Sequence, residues 1–421
     1  MKDPHFMKLT KETKIKLNEK ESNILVHLCY AAYKHWNNLN YERLNYQELL
    51  FEKMPDWYEQ KKAHKDDFFA RLLPSQTAQE VAKQLDKAWK SYFVLKKTGG
   101  IENPQPPRFK KDKMAVVFID NSIKKIKDNK IRLSLPLKLK EHMRSKYGID
   151  DDYLVLSNVV FEDISSIKQI KLYPPEKEEA RCIIVYEIED KEKKEDNGKY
   201  LSIDMGINNL LTCYNNTNGE VFIIGRKYFS IERKYLKAIK DVQSKWYKAQ
   251  SNMGVKRLKS SKHIARLYKK MNNSLNDYIH KITRSITKYC RESGINTVIV
   301  GDIKNIREEF NKGRLLNQKM HSLPFNKVIK KLEYKLAIEG ISLIMQKESY
   351  SSQCSPLSEK VSKQYAEKNK RVKRGLFVDG KMEWNADSVG AYNILRLYRD
   401  RTEKIIHMEA IKPPYVMKVA V

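Results

Sequence analysis

From residue 200 onward, short apolar runs rich in β-branched residues alternate with segments of helical spacing. Residues 200–205, 210–214 and 220–224 predict a three-strand meander, and residues 230–292 predict a long helical segment. The pattern after residue 292 predicts a strand over 296–303, a helix ending at 340, a strand over 341–347 and a helix over 385–399. Strands that alternate with helices are typical of an α/β fold, so this half predicts a mixed sheet covered by helices.

The first half of the chain has a different pattern. Residues 8–16 alternate polar and apolar side chains and predict a strand, whereas residues 22–98 have mainly helical spacing. The second helix of that block follows Pro74, and Ser75 is in position to cap it. Residues 115–190 predict mostly β structure with a hairpin over 167–189, and the polar residues 190–198 predict a linker. The chain is therefore expected to be a multidomain protein with α/β and β parts.

The charge of the chain indicates a polyanionic partner. The 421 residues include 82 Lys and Arg against 52 Asp and Glu, so the net charge is 82 − 52 = +30. A lysine-rich solubilising surface is one explanation, and nucleic-acid binding is the other. Cations interleaved with aromatic residues, as in Pro107–Lys111, favour nucleic acid. Candidate phosphate contacts in that segment are Arg108, Lys110 and Lys111.

Cysteine usage and hydropathy exclude other classes of protein. The five cysteines are scattered singly, without a CxxC pair, which is not the pattern of a disulfide framework or a four-cysteine zinc site. No apolar run approaches the ~18 residues of a membrane span, and none near Met1 resembles a secretory signal. We expect no membrane partner and a reducing compartment, the prokaryotic cytoplasm, with association to the nucleoid.

Two aspartates stand where an α/β nuclease would need them. Asp204 ends an apolar strand, and ligands of open α/β sheets bind at such strand ends. Asp387 precedes the last predicted helix. Taken singly, Asp204 could be a turn-forming acid and Asp387 a helix cap. Together they favour a joint carboxylate site.

The segments around these aspartates resemble a known family. They are Ile203–Leu210, Val298–Ile303, Tyr350–Ser355 and Asn385–Leu395, and the segments from Leu73 to Trp89 and from Pro107 to Lys110 match as well. This ordered set resembles TnpB, the transposon-encoded RNA-guided DNA endonuclease related to type V CRISPR effectors. The resemblance covers almost the whole chain.

The resemblance implies a domain order. A RuvC-like (RNase H-like) nuclease domain is expected over 198–348 and 385–421, with an insert at 349–384. A β-barrel-like wedge domain is expected before it, over 1–18 and 99–197, interrupted by a helical recognition domain over 19–98.

The chain departs from the family at two places. Gly301 stands where the family usually has a glutamate, and Asp302 cannot substitute because successive strand side chains point to opposite faces. We expect Glu333, on the following helix, to replace the missing acid; the alternative is an exposed helix pair with Lys330 or Lys335. In the insert, only Cys354 remains of the usual four-cysteine zinc module, so no structural zinc is expected.

The resemblance implies cleavage with two Mg²⁺ ions, for which Asp204, Glu333 and Asp387 would be the ligands and catalytic residues. Asp204 is expected to bridge both ions. A noncoding guide RNA would pair with double-stranded target DNA beside a short adjacent motif. The alternatives are a nuclease-dead RNA-guided regulator, which Gly301 favours, and a compact type V CRISPR effector. An autonomous transposase is disfavoured because the likeness is to the guided nuclease.

Overall fold

The structure is a computed structural model that describes residues 6–99, 101–126, 130–157, 166–189, 191–206, 209–302, 323–373 and 375–420. The chain divides into two compact units, Met1–Glu189 and Asp190–Val421. Among the described helices, none is long and apolar enough to cross a membrane. Ile207, Asn208, Ile303 and residues 318–322 of the sequence predictions lie outside the described residues. The finer domain boundaries stay a prediction.

The first unit contains two antiparallel sheets. Its strands are β1 (Phe6–Lys16), β2 (Val116–Ile119), β3 (Ile123–Ile126), β4 (Lys130–Ser134), β5 (Tyr153–Leu156), β6 (Ser166–Leu172) and β7 (Glu179–Glu189). One sheet has the order β1-β7-β6-β2 and the other β3-β4-β5. The predicted hairpin is the β6–β7 pair. Both sheets are open, so the described strands do not close the expected barrel.

Helices pack against these sheets around one core. They are α1 (Glu19–Leu44), α2 (Trp57–Ala63), α3 (Phe68–Arg71), α4 (Ser75–Thr98) and α5 (Leu137–Tyr147). Ser75 is already inside α4; Pro74 holds the cap position and no side chain caps the helix, so the predicted cap is wrong. The sequence also missed α5, in which Leu139 and Met143 are buried at four-residue spacing within a segment predicted to be mostly β.

The second unit is built on a six-stranded mixed sheet. Its strands are β8 (Tyr200–Asp204), β9 (Leu211–Asn215), β10 (Val221–Ile224), β11 (Thr297–Asp302), β12 (Ser342–Lys347) and β15 (Tyr415–Val416), in the order β12-β11-β8-β9-β10-β15. Strands β8, β11 and β12 are parallel, and β9 is antiparallel to its neighbours β8 and β10. The predicted α/β fold with a mixed sheet is confirmed. A small hairpin, β13 (Leu376–Asp379) and β14 (Met382–Asn385), was not predicted.

Helices cover both faces of this sheet. They are α6 (Tyr228–Asn252), α7 (Lys262–Glu292), α8 (Phe325–Ile338) and α9 (Ala386–Thr402). Leu201 and Ile203 of β8 share a core with residues of α6, α7 and α8. Tyr200 belongs to the core that includes α9. Because side chains alternate along a strand, the even-numbered residues of β8 face α9.

Candidate active site

Asp204 is the last residue of β8, a strand that lies between β11 and β9. Two residues earlier, the Ser202 hydroxyl donates a hydrogen bond to the Ala391 carbonyl of α9, 2.7 Å away. Strand alternation therefore directs the Asp204 side chain toward α9 as well. The carboxylate stands at the carboxyl end of the strand, as the sequence predicts.

Gly390 allows α9 to approach this carboxylate closely. A Cβ atom on Gly390 would be 2.6 Å from Oδ2 of Asp204 and 3.2 Å from its Cγ. Such distances are too short for a carbon beside a carboxylate, so any side chain at position 390 would displace Asp204 or the helix. The absence of a Cβ here brings Asp204 against the first turns of α9.

Asp387 lies in the first turn of α9, one turn before Gly390, but does not cap the helix. The side chain of Asn385 is the cap and accepts hydrogen bonds from the backbone N–H groups of Asp387 and Ser388, at 3.0 and 3.1 Å. The Asp387 carboxylate accepts instead from Nδ2 of Asn209 at 2.7 Å and pairs with the Arg371 guanidinium at 3.5 Å. The carboxylate therefore faces Asn209 and Arg371 instead of capping its own helix.

Asn209 is itself held by a cation. Nε of Arg226 donates to Oδ1 of Asn209 at 2.8 Å, and this hydrogen bond orients the amide so that its Nδ2 faces Asp387. Asn209 is 8% exposed, so its hydrogen bonds are protected from water. Arg226 and Asn209 thus fix the orientation of the Asp387 carboxylate.

Glu348 occupies the space that Gly301 leaves open. It directly follows β12, which pairs with β11 in parallel, with Gly301 opposite Gln346. A Cβ atom on Gly301 would overlap Oε2 of Glu348 and approach Cδ1 of Ile394 in α9 to 2.9 Å. The carboxylate of Glu348 therefore lies where a side chain from position 301 would project, on the α9 face of the sheet.

The acids interact strongly. Burial raises the pKa of Asp204, the charge of Asp387 raises it further, and the Arg371 guanidinium opposes both. Burial also raises the pKa of Glu348, with smaller contributions from the charges of Asp204 and Asp302. Carboxylates held together in this way repel one another, and a cation would relieve that repulsion.

Glu333 is not brought to these acids. It is exposed on α8, whose buried residues Leu332 and Leu336 share the core of Ile203, on the face of the sheet opposite α9. On the α9 face of the sheet it is Glu348, not Glu333, that lies beside Asp204. The available signal was the position of Glu348 directly after an apolar strand, the same arrangement that singles out Asp204.

The donor set suits Mg²⁺. Asp204, Glu348 and Asp387, which we call the carboxylate cluster, offer hard oxygen ligands, and Oε2 of Glu348 is buried with no hydrogen-bond partner in the described part of the chain. Within the described ranges, no three Asp, Glu, His or Cys side chains are already grouped closely enough to hold a metal ion. Asn209 and Arg371 occupy the Asp387 oxygens in this arrangement. The three carboxylates therefore suit Mg²⁺, because their oxygens are hard ligands and Oε2 of Glu348 has no other partner among the described residues.

Side chains of α9 hold the insert at 349–384. Nδ2 of Asn393 donates to the carbonyls of Ser351 and Cys354, each at 2.8 Å. The guanidinium of Arg396, which is 3% exposed, donates to the Ser355 carbonyl at 2.9 Å and to that of Ser358. Cys354 is fully buried. The segment that carries Arg371 is thus tied to the helix that carries Asp387.

In the first unit, the predicted phosphate contacts Arg108, Lys110 and Lys111 are exposed in a segment fastened to α1. The Asn37 side chain makes two hydrogen bonds with the Lys110 backbone, at 2.9 and 2.8 Å. The Lys110 ammonium lies 4.5 Å from the centre of the Trp36 ring, and Trp36 itself is only 5% exposed and belongs to the core of the first unit. The contacts with nucleic acid stay a prediction.

A second basic surface surrounds the turn between α6 and α7. No acid occurs between Asp241 and Asp277, and nine exposed cations do: Lys245, Lys248, Lys256, Arg257, Lys259, Lys262, Arg266, Lys269 and Lys270. We call residues 245–270 the basic arm. Its turn is fixed because Trp246 and Gln250 both donate to the Lys259 carbonyl, at 2.7 and 2.8 Å.

Two protein-family models match segments of the chain that lie mostly in the second unit. Residues 183–307 match the family model OrfB_IS605, "Probable transposase", and residues 325–394 match "Cas12f1-like, TNB domain". A comparison with curated protein sequences gives no match.

Two solved structures align with most of the chain. A "Cryo-EM structure of the Cas12f1-sgRNA-target DNA complex" aligns with a TM-score of 0.54 at 16% identity, covering 90% of this chain and 83% of that one. The "mini-RNA-guided endonuclease CRISPR-Cas_phi3" aligns with a TM-score of 0.41 at 11% identity, covering 93% and 92%. The first alignment shows a common fold, and the two family matches, each over less than half of the chain, confirm the resemblance to TnpB that the motifs predict.

Proposed function

We propose that the chain is a metal-dependent endonuclease that cleaves DNA selected by a guide RNA. The observation that carries this proposal is the carboxylate cluster, in which Glu348 fills the place left by Gly301 beside Asp204. The resemblance to TnpB and the fold shared with a Cas12f1–guide RNA–target DNA complex support the substrate class.

In this proposal Asp204, Glu348 and Asp387 hold the metal, and Asn209 and Arg226 position Asp387. Two Mg²⁺ ions there would supply the charge that activates water and stabilises the leaving oxygen of a phosphodiester. Glu348 takes the role of metal ligand that the sequence predicts for Glu333, because Glu348 lies on the α9 face of the sheet with Asp204. Arg371 balances the negative charge of Asp387 until the metal is bound.

The net charge of +30 and the basic arm support a nucleic-acid partner. Exposed cations without neighbouring acids bind phosphates and release their counterions, which adds affinity independent of sequence. Base pairing with the guide would then select the target, while the protein contacts the backbone of guide and target.

The experiment compares three single variants of the full chain, each loaded with guide RNA. Asp204→Ala and Glu348→Gln are expected to lose Mg²⁺-dependent cleavage of a matched plasmid while still binding it. Glu333→Gln is the matched control and is expected to cut at the wild-type rate. Full activity of Glu348→Gln, or loss of activity only in Glu333→Gln, would overturn the assignment of the third acid.

A second candidate function is that of an RNA-guided DNA-binding regulator without nuclease activity, which Gly301 favours. The same experiment separates the two functions. Under the regulator hypothesis the wild-type complex occupies its target and leaves it intact at all Mg²⁺ concentrations, and Asp204→Ala changes nothing.

A further inference from the structure

The first unit contains a cavity of about 490 Å³ that is separate from the carboxylate cluster. Residues of α1, α4 and α5 and of the α2–α3 segment line it. We call it the α4–α5 cavity, because both of these helices begin at its wall: Ser75 is the first residue of α4, and Leu137 is the first residue of α5. Its volume is in the range of sites that hold a small molecule or a nucleotide.

Both helix N-termini at this wall carry unneutralised partial positive charge. Each follows a proline, at positions 74 and 136, each lacks a side-chain cap, and neither has an acid in its first turn. Backbone N–H groups at the start of a helix attract anions, and phosphate in particular. Two such termini on one cavity reinforce each other.

His35 provides an independent sign of a missing ligand. Its side chain lines the cavity, the residue is 3% exposed, and its Nδ1 has no hydrogen-bond partner among the residues that the structure describes. A buried polar atom without a partner is costly, and such atoms are commonly satisfied by a ligand or a bound water.

Cationic side chains complete the wall. His64 is an imidazolium, because one ring nitrogen is hydrogen-bonded to Glu42 and the other to Asp67, the latter at 2.7 Å. The ammonium of Lys61 lies 4.6 Å from the centre of the Tyr58 ring, and that of Lys138 lies 5.2 Å from Phe68. Ring faces hold these cations in place without cancelling their charge.

The full charge balance of the wall is positive. Among the lining residues, Lys65 and Arg71 join Lys61, His64 and Lys138 as cations, and Asp66 and Glu141 are the acids, which gives 5 − 2 = +3. The two carboxylates hydrogen-bonded to His64, those of Glu42 and Asp67, lower this balance to 3 − 2 = +1. Asp66 is paired with Lys65 at 3.9 Å. An anionic ligand is therefore favoured over a neutral or cationic one.

We propose that the α4–α5 cavity binds a phosphate group of a nucleic-acid strand. Two helix N-termini and a ring of cations match the charge of a phosphate, and the volume leaves room for the attached nucleoside. A free nucleotide offers the same chemistry. The preference for a strand rests on the proposed function, whereas the phosphate site itself does not.

The test uses the full chain and a pair of charge-matched double variants. Arg71→Gln/Lys138→Gln removes two cations from the cavity wall, and Lys87→Gln/Lys97→Gln removes two exposed cations elsewhere on α4. Inorganic phosphate, adenosine monophosphate and a fluorescent oligonucleotide with or without a 5′-phosphate are titrated by calorimetry or anisotropy. The melting temperature of each variant checks folding.

The wild type and the control pair are expected to bind phosphate at one site, and the cavity pair is expected to bind at least about tenfold more weakly. Equal phosphate affinity of the two pairs would overturn the site. If oligonucleotides displace phosphate, the strand assignment is supported; if only phosphate and the mononucleotide bind, that assignment is overturned in favour of a free nucleotide.

Mn²⁺ binding to the carboxylate cluster is measured in parallel. The cavity pair is expected to retain it, and Asp204→Ala is expected to retain phosphate binding. The experiments can therefore contradict the phosphate site without contradicting the proposed nuclease function, and the reverse.

Discussion

The Glu348 carboxylate lies where a side chain on Gly301 would have to project. Gly301 is the penultimate residue of β11 and Glu348 directly follows the neighbouring parallel strand β12, and only one of their side chains can fill the space between β11 and α9. A glutamate at 301 with a small residue at 348, or a glycine at 301 with a glutamate at 348, would therefore deliver a carboxylate to the same place beside Asp204.

This relationship predicts that a glutamate at position 301 can replace the glutamate at position 348. Glu348→Ser is expected to lower Mg²⁺-dependent cleavage about 10²-fold or more, because a ligand is lost. Gly301→Glu alone is also expected to be impaired, since its side chain collides with Glu348. The double variant Gly301→Glu/Glu348→Ser is expected to recover activity above both single variants, measured as the cleavage rate of a matched plasmid. A double variant no better than Glu348→Ser would contradict the shared position.

The basic arm is expected to bind RNA through phosphates. Replacing Lys256, Arg257, Lys259 and Lys262 by glutamine should reduce the slope of log affinity against log salt by about 3–4, at ~0.7–0.9 per phosphate contact. The measurement is RNA binding at several salt concentrations. The charge-matched control replaces Lys8, Lys14, Lys53 and Lys140, which already pair with acids, and should leave the slope unchanged. Equal slopes of log affinity against log salt for the two variants would show that the basic arm does not contact the RNA phosphates.

His64 makes the stability of the first unit depend on pH. Its hydrogen bond to Glu42 is the main cause that raises the pKa of His64 to about 9, from an ordinary value of 6.5, and the bond to Asp67 adds to this. Because the folded pKa is the higher one, the stabilisation is complete below pH ~6.5 and is lost as the pH rises through ~9, by an amount of order 1–3 kcal/mol.

Urea unfolding of the wild type and of His64→Gln between pH 6 and 10 checks this. The wild type is expected to lose free energy of unfolding over this range, and the variant to lose less. His35 does not titrate there, since burial and the charge of His64 lower its pKa to about 4. Parallel curves for the two proteins would show that the imidazolium does not stabilise the fold.

Hydrogen bonds from α9 are expected to hold the insert. Arg396→Met leaves the carbonyls of Ser355 and Ser358 without their buried donor, which should cost about 2 kcal/mol or more and raise hydrogen exchange over residues 351–379. Arg401→Met, on an exposed position of the same helix, is the control. A chelator is expected to leave exchange in the wild-type insert unchanged; faster exchange with chelator would point to a metal in the insert.

The sequence alone determines the α/β half and two of its acids. Strand and helix periodicities differ, so the order of elements around Asp204 and Asp387 follows from the pattern of apolar residues. Helix α5 was missed because its short segment lies among strands, and the cap of α4 was misassigned by one residue. The motif set also shows the resemblance to TnpB without coordinates.

Only the tertiary structure shows which further acid lies beside Asp204. Glu333 and Glu348 follow Gly301 by 32 and 47 residues, and periodicity does not say which face of the sheet each element covers. The parallel pairing of β11 with β12 places Glu348 over Gly301, while α8 carries Glu333 on the other face. The same holds for the α4–α5 cavity, because two helix starts 62 residues apart, at Ser75 and Leu137, meet only through packing.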